Sequence, residues 1–254
     1  MSAFEEPKWN HLRLKEVQTF IDQLMFHPVL RDELALPIVS KLQLFLGALV
    51  LSQTRLSSTV SDRILAAMVL MHHGLDLHES IQDEEVPQST QAQLTILGGA
   101  FFSSLFYRLL AEANRIDLVS AFSKAVSKIN EAKSSIHDLP PDAFYDDPQY
   151  ITYQCIVQGE LLTALCEIFS PDVATKDFVD LAIMASVYDQ ALSQMHAKSK
   201  KFSRNRLHLN FSETMERLFQ ASRDVVGSDA WLPLKSLFHT SINQIDGVRV
   251  GEGG

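Results

Sequence analysis

The chain has 254 residues, of which 46% are hydrophobic and 21% charged, and its formal net charge is −9. This is an ordinary composition for a globular protein, and a chain of this length can bury a large core. The acidic balance argues against broad binding to a nucleic-acid backbone, which requires a basic face.

Helical periodicity dominates the chain, because apolar residues recur at spacings of three and four and no convincing alternating strand occurs. We therefore predict an all-α fold, with residues 1–254 forming a single helical domain of about nine to eleven helices packed as one bundle. Residues 1–25 would hold the N-terminal helix and residues 247–254 a frayed tail. The predicted helices are 14–25, 39–52, 60–82, 91–113, 116–136, 150–169, 176–197, 211–225 and 230–245, with Thr59 or Ser61 capping the third.

The two cysteines, Cys155 and Cys166, lie in one predicted helix. Eleven residues of helix separate them by roughly 16 Å, which is too far for a disulfide, so free thiols in a reducing cytosol are expected. The first residues lack the apolar core of a signal peptide. The longest apolar runs, 44–51 and 64–71, are shorter than the roughly 20 residues that span a bilayer. We predict a cytoplasmic protein, with peripheral membrane contact left open.

Residues 71–85, MHHGLDLHESIQDEE, combine three histidines with several acids at the end of a predicted helix. A zinc-protease helix needs a second histidine four residues after the first, and Gln82 stands there after His78. His72 and Asp76 are four residues apart and could share a metal ion, although surface or hydrogen-bonded histidines are the commoner explanation for such a pair.

A third interpretation of this segment comes from its resemblance to the trans-prenyltransferases of the type I isoprenoid synthase fold. In those enzymes a leucine and a histidine precede a DDxxD motif, whose carboxylates hold the magnesium that bridges an allylic diphosphate. Here Leu77 and His78 match, but the motif is degenerate: Glu79 stands at its first position, Ser80 at its second, and Asp83 at its last.

Other elements of that family are also altered in this chain. The acid expected in the next helix is Ala100, and residues 84–92, EEVPQSTQA, lack the arginine pair that binds pyrophosphate. The second aspartate-rich motif retains Asp189 alone, and Glu160 replaces the lysine of a Gly-Lys-Thr motif. Since both metal half-sites and the positive clamp are lost together, we predict a copy retained for its fold, with no catalytic residue and no metal ligand.

The chain more specifically resembles component 1, the small subunit, of bacterial heptaprenyl or hexaprenyl diphosphate synthases, over roughly residues 25–195. The residues that carry this resemblance are His27-Pro28 with Pro37, and the segments 70–81, 93–110 and 129–137. It implies a non-catalytic regulatory subunit that acts with a catalytic large subunit, in which the magnesium is bound. The pair would add isopentenyl diphosphate to farnesyl diphosphate, giving the menaquinone side chain, and the small subunit would help to set product length.

By analogy with the same enzymes, the helices at 93–113 and 116–135 would face the partner. The helix at 91–113 is apolar nearly all round, so it must be covered on every side, and an interface can supply part of that cover. A homodimer through the same surface is possible when the chain is alone. The residues predicted to contact the partner or wall its product tunnel are Phe101, Phe102, Leu105, Phe106, Leu118 and Phe122.

Two other functions remain open at the level of sequence. The first is a divergent catalytic prenyl synthase that uses Glu79, Asp83 and Asp189, and the second is a helical adaptor unrelated to isoprenoids. The basic segment 198–208 is typical of a solvated loop beside a helix end, and it could also contact an acidic partner or anionic lipid. The pair Gly98-Gly99, isolated within a helix, is expected to permit close helix packing.

Overall fold

The computed structural model describes residues 11–34, 38–80, 89–140, 148–195, 201–227 and 234–238. Within these residues the protein is all-α, as predicted, with nine helices and no strand. The helices are α1 (His11–Met25), α2 (Pro28–Glu33), α3 (Lys41–Ser52), α4 (Ser58–Glu79), α5 (Thr90–Glu112), α6 (Ile116–His137), α7 (Pro148–Phe169), α8 (Val173–Gln194) and α9 (Lys201–Val225).

The chain divides into two compact units, Met1–Ala121 and Phe122–Gly254, and the division falls within α6. The first unit contains α1 to α5 and the start of α6, whereas the second contains the rest of α6 with α7, α8 and α9. The assignment of the whole chain to one domain stays a prediction.

Helix α4 is the central element of the first unit. It packs against α1, α3 and α5, and every residue from Ile64 to Gly74 is buried. A helix that is covered on all sides must be apolar all round, which explains why this run contains almost no polar side chain. Its N-terminus is capped by Ser57, whose hydroxyl accepts the backbone N–H of Val60 at 3.4 Å. The cap predicted at Thr59 or Ser61 was therefore placed too late.

Helix α5 lies close to α4 because glycines face the contact. A Cβ atom on Gly98 would be 3.2 Å from Cδ1 of Leu77, and one on Gly99 would be 2.7 Å from Cε1 and Nε2 of His78. The prediction that Gly98 and Gly99 permit close helix packing is confirmed.

Helix α8 has the corresponding central place in the second unit, where it packs against α7 and α9. Its first turn is capped by Asp172, which accepts the backbone N–H of Thr175 at 2.7 Å. Gly159 of α7 faces Ile183 of α8 so closely that a Cβ on the glycine would lie 2.7 Å from Cδ1 of the isoleucine.

Several helix boundaries differ from the predicted ones, most by one to three residues. Helix α1 ends at Met25, as predicted from His27-Pro28, but the short helix α2 that follows was not predicted. Proline occupies its first turn, where the fixed φ angle is favourable. Helix α9 begins at Lys201 and not at 211, since its polar first turns lack an apolar period. Helix α8 ends at Gln194, three residues before its predicted end. Most of the helix predicted at 230–245, and the tail at 247–254, lie outside the described residues.

Two predictions from composition have different outcomes. Cys155 and Cys166 are free, as expected, and burial raises the pKa of their thiols to about 12 and about 11. The expectation that no segment is long and apolar enough to cross a membrane is wrong for α5, a continuous 23-residue helix that meets both criteria. Core helices of soluble proteins meet them too, and 44% of the most apolar part of α5 is buried inside the protein.

Candidate functional site

The C-terminal end of α4 carries the first part of the degenerate aspartate-rich motif. Glu79 is the last helical residue and is exposed, and Ser80 caps the helix. The hydroxyl of Ser80 donates to the carbonyl of Leu77 at 2.7 Å, and its backbone N–H donates to the carbonyl of Asp76 at 3.1 Å. The residue at the second motif position therefore completes the helix end. Asp83 lies outside the described residues.

The imidazole of His78 covers Gly99 of α5, whereas Gly98 faces the leucine side chains of Leu77 and Leu34. Ala100, which stands where an acid was expected, follows the pair and is exposed. The ring of the next residue, Phe101, makes an edge contact with the ring of His27, with centroids 5.7 Å apart. Residues 98–101 of α5 therefore contain no acidic side chain.

His72, which was considered with Asp76 for a metal ion, is hydrogen-bonded to Gln43 of α3. The amide nitrogen of Gln43 is 3.0 Å from Nε2 of His72 and, as a donor, it places the ring proton on Nδ1. Nδ1 in turn lies 3.9 Å from a carboxylate oxygen of Asp76. This arrangement links α3 to α4 and leaves Nε2 engaged by the amide.

In the second unit, Glu160 of α7 is paired with Lys128 of α6. The ammonium group lies 2.5 Å from a carboxylate oxygen, and the glutamate side chain is 13% exposed whereas that of the lysine is 55% exposed. The carboxylate raises the pKa of Lys128 through a hydrogen bond and through its charge. Residue 160 thus presents a neutralised acid where the resemblance led us to expect a lysine. Lys128 was not identified from sequence, because the pair joins residues 32 positions apart.

Asp189, the surviving acid of the second motif, is buried on α8 at 8% exposure. Its neighbour Tyr188 is hydrogen-bonded to Asn210 of α9, and burial raises the pKa of the tyrosine. Gln190 accepts a hydrogen bond from the side chain of Gln158 on α7. These contacts join α7, α8 and α9 around residue 189.

The donor set does not fit a magnesium ion in the part of the chain that the structure describes. Among these residues no three histidine, cysteine, aspartate or glutamate side chains come together in a way that could hold a metal. The hydroxyl of Ser80 is used within α4, where it donates to the carbonyl of Leu77. Hard cations need several oxygen ligands at once, so no metal-dependent step is assigned to these residues.

The six residues predicted to contact a partner are mostly buried in the chain itself. Phe101 is half-buried, whereas the other five are between 0% and 5% exposed: Phe102, Leu105, Phe106, Leu118 and Phe122. Their contact with a partner stays a prediction. The apolar side chains that α5 does expose are Leu97 at 61%, Tyr107 at 51% and Ile96 at 38%. These three residues were not among the predicted partner contacts. The sequence alone does not show which side of an apolar helix is covered by the rest of the chain.

The basic segment lies partly outside the described residues, which exclude 196–200. Arg204, Arg206 and His208 are half-buried on α9, and burial together with the nearby Arg204 lowers the pKa of His208. The segment is therefore partly helical, whereas a loop was expected.

Comparisons with known proteins agree with this architecture. The structure of a geranyltransferase from Legionella pneumophila has a TM-score of 0.61 at 14% identity, covering 92% of this chain and 88% of that one. A geranylgeranyl pyrophosphate synthase structure has a TM-score of 0.53 at 17% identity, covering 92% and 81%. At such low identities these likenesses show a common fold.

Two sequence comparisons are more specific. Heptaprenyl diphosphate synthase component 1 of Geobacillus stearothermophilus is 35% identical over 78 residues, which make up 31% of this chain and 35% of that protein. The match thus spans about a third of the relative's length. The profile of a family described as heptaprenyl diphosphate synthase (HEPPP synthase) subunit 1 matches residues 27–226, which include α2 to α9. Because that match covers most of the chain, the protein belongs to the heptaprenyl diphosphate synthase subunit 1 family.

Proposed function

We propose that this protein is the non-catalytic regulatory subunit of a two-component long-chain trans-prenyl diphosphate synthase. It acts in the cytoplasm with a catalytic large subunit, which holds the magnesium ions and condenses isopentenyl diphosphate with farnesyl diphosphate. The product supplies the side chain of menaquinone, and this subunit helps to set its length. Component 1 in the name of the Geobacillus relative supports a partnership between subunits.

The proposal rests mainly on the side chain of Ser80 and on its hydrogen bond within α4. A magnesium–diphosphate site needs carboxylates that point away from the helix end toward the ligand. Ser80 has no carboxylate, and its hydroxyl is turned back onto the carbonyl of Leu77 at 2.7 Å. The end of α4 therefore offers one acidic side chain, Glu79, among the described residues of the motif.

The ion pair in the second unit supports the same conclusion. A diphosphate carries several negative charges and binds where cations are available to it. Glu160 adds a negative charge at the position of the expected lysine, and it engages the nearby Lys128 at 2.5 Å. A diphosphate would have to displace this carboxylate and be repelled by it, which opposes binding at this position.

The exposed side of α5 supports an interaction with a partner. Residues 90–107 contain no charged side chain, yet Leu97 and Tyr107 are more than half exposed. An apolar helix surface of this kind is costly in water, and the cost is removed when a second protein covers it. Bulky side chains of α5 that face the partner would then be able to limit the space for a growing prenyl chain.

The proposal is tested by prenyl-transfer assays with farnesyl diphosphate, radiolabelled isopentenyl diphosphate and Mg²⁺. Three samples are compared: this protein, the large subunit encoded in the same genome, and their mixture. Activity confined to the mixture, with one dominant product length by chromatography, is the expected result. Turnover by this protein alone would instead favour a divergent synthase that uses Glu79, Asp83 and Asp189. A mixture no more active than the large subunit, with no complex in gel filtration, would favour the unrelated adaptor.

A further inference from the structure

His73 is a buried histidine whose ring lacks hydrogen bonds. It lies within the buried run of α4 and is 4% exposed. Neither Nδ1 nor Nε2 has a hydrogen-bond partner among the described residues. A buried polar atom without a partner has lost its hydrogen bonds to water without replacing them, so this position weakens the core of the first unit. The adjacent His72, by contrast, is engaged by Gln43.

The surroundings of His73 are largely uncharged. Its ring faces that of Phe102 of α5, with centroids 6.4 Å apart, and the phenylalanine is fully buried. Residues 42–52 of α3 and 90–107 of α5 contain no ionisable side chain of aspartate, glutamate, lysine, arginine or histidine. The charged or titratable groups that act on His73 are Asp76 and His72 of its own helix and Asp22 of α1.

These surroundings favour the neutral imidazole. Burial lowers the pKa of His73 to about 4, although the carboxylates of Asp76 and Asp22 act in the opposite direction. The neutral ring leaves one N–H without an acceptor, whereas the imidazolium would leave two and would also carry a buried charge, and neither nitrogen has a hydrogen-bond partner among the described residues. The protonated ring is therefore disfavoured while α4 is closely packed.

We propose that His73 makes the helix packing of the first unit sensitive to acid. Uptake of one proton by its ring separates α4 from α1 and α5. The neutral ring is compatible with the packed helices, whereas the imidazolium requires water or an acceptor that only the opened unit provides. This inference depends on the core of the first unit alone and is independent of the proposed enzymatic partnership.

The sign and window of the effect follow from the two pKa values. In the unfolded chain the pKa of His73 is near the ordinary value of 6.5, whereas in the folded protein it is about 4. As the pH falls from 6.5 to 4, proton uptake therefore favours the unfolded state. Between pH 7 and pH 5 the ratio of unfolded to folded protein should rise roughly 20-fold through this residue alone.

The test is urea unfolding of the full chain at pH 7 and pH 5, followed by circular dichroism. Two variants that cannot take up the proton are compared with the unmodified protein: His73→Leu, which suits the apolar surroundings, and His73→Gln, which retains hydrogen-bonding capacity. Both should lose the roughly 20-fold acid response. The control His137→Leu removes a histidine whose side chain is 82% exposed, and it should retain that response.

Two results would overturn the inference. In the first, both His73 variants respond to acid as strongly as the unmodified protein. In the second, ring-selective nuclear magnetic resonance of the folded protein shows the His73 signal, assigned by its absence from the variants, titrating near pH 6.5. The expected spectrum shows no titration of that ring above about pH 5, and hydrogen exchange of residues 64–74 accelerates below it beyond the change in the His73→Gln variant.

Discussion

The backbone of α5 comes within contact distance of Gly74 on α4. A Cβ atom on Gly74 would lie 3.2 Å from the carbonyl oxygen of Gly99 and equally close to the hydroxyl of Ser103. That hydroxyl already donates to the carbonyl of Gly99 at 3.0 Å. The two helices are therefore held together at a point where a backbone atom, which cannot rotate away, limits the size of the facing residue.

We expect Gly74→Ala to destabilise the protein for this reason. Alanine favours helix by up to about 1 kcal/mol over glycine, but overpacking against a backbone carbonyl costs typically 1–3 kcal/mol. The matched control is Gly98→Ala, where the nearest atoms are the methyl ends of Leu77 and Leu34, at 3.2 Å and 3.4 Å. Urea unfolding should show a loss for the first variant that is larger than for the second. Equal effects would mean that α4 and α5 shift apart freely.

Substitutions of the buried aromatic residues of α5 are expected to lower the stability of the fold, so any effect on product length would be secondary. Phe102 is fully buried and faces His73, so Phe102→Ala should cost about 3–5 kcal/mol of unfolding free energy. The half-buried Phe101, which contacts His27, provides the comparison and should cost less. Thermal unfolding measures both changes. If Phe102→Ala retained full stability and only altered product length in the mixed assay, the residue would line the tunnel directly.

The exposed residues of α5 should give the opposite result. Leu97→Ser replaces a side chain that is 61% exposed, so the fold should keep its stability within about 0.5 kcal/mol. Its binding to the large subunit should weaken at least several-fold, because interfaces depend on a few apolar anchors. Leu209→Ser is the matched control, because Leu209 is 59% exposed on α9, which is not among the helices expected to face the partner. Surface plasmon resonance with immobilised large subunit would distinguish the two, and equal binding by both variants would exclude Leu97 from the interface.

The contrast between these residues shows where sequence reasoning succeeds. The order of helices, the free cysteines and the glycine contact follow from period and local chemistry, which act over one or two turns. Residues 101–109 of α5 also have a clear apolar period, but the face covered by the chain itself depends on neighbouring helices. Phe102 and Leu97 therefore could not be assigned to core and surface in advance.

The candidate site shows the same limit. The loss of a carboxylate at Ser80 and of a lysine at Glu160 could be identified from the sequence, because each residue stands at a recognised motif position. The contacts that these residues make could not be predicted. The hydroxyl of Ser80 bonds to the carbonyl of Leu77 because of its rotamer, and Glu160 pairs with Lys128 from another helix. Long-range pairs of this kind have no signature in a single sequence. The sequence also gave no sign that the ring of His73, in a segment considered for metal binding, would be buried without a hydrogen-bond partner among the described residues.

The Lys128–Glu160 pair should contribute little to stability despite its short distance. The lysine is 55% exposed, and a surface pair of this kind contributes about 0–1 kcal/mol. A double-mutant cycle with Lys128→Met and Glu160→Gln should therefore give a coupling energy below about 1 kcal/mol that falls further in high salt. The single variant Glu160→Lys should cost more than Glu160→Gln, since two ammonium groups would then face each other. A coupling energy above 2 kcal/mol would mean that the pair behaves as a buried one.

A second acid-dependent effect, opposite in sign to that of His73, is expected between α1 and α4. Asp62 bonds to Arg13, yet one of its carboxylate oxygens is buried without a partner among the described residues. Burial raises the pKa of Asp62 above its usual 3.8, and Arg13 opposes that rise. The ionised carboxylate thus destabilises the fold near neutral pH, and protonation relieves this cost as the pH falls through the folded-state pKa.

Replacing Arg13 with methionine should make that cost larger. We expect Arg13→Met to lose roughly 1–2 kcal/mol of unfolding free energy at pH 7, with the partial exposure of the pair limiting the effect. The loss should shrink toward pH 4, since Asp62 is then increasingly protonated and needs no cation. Lys15→Met removes an exposed charge from the same helix and should show no such trend. Urea unfolding of the three proteins at pH 7, 5.5 and 4 measures the differences directly, so the contribution of His73 cancels. A loss for Arg13→Met that is constant across this range would mean that Asp62 titrates as a solvated carboxylate and that Arg13 acts on α1 by other contacts.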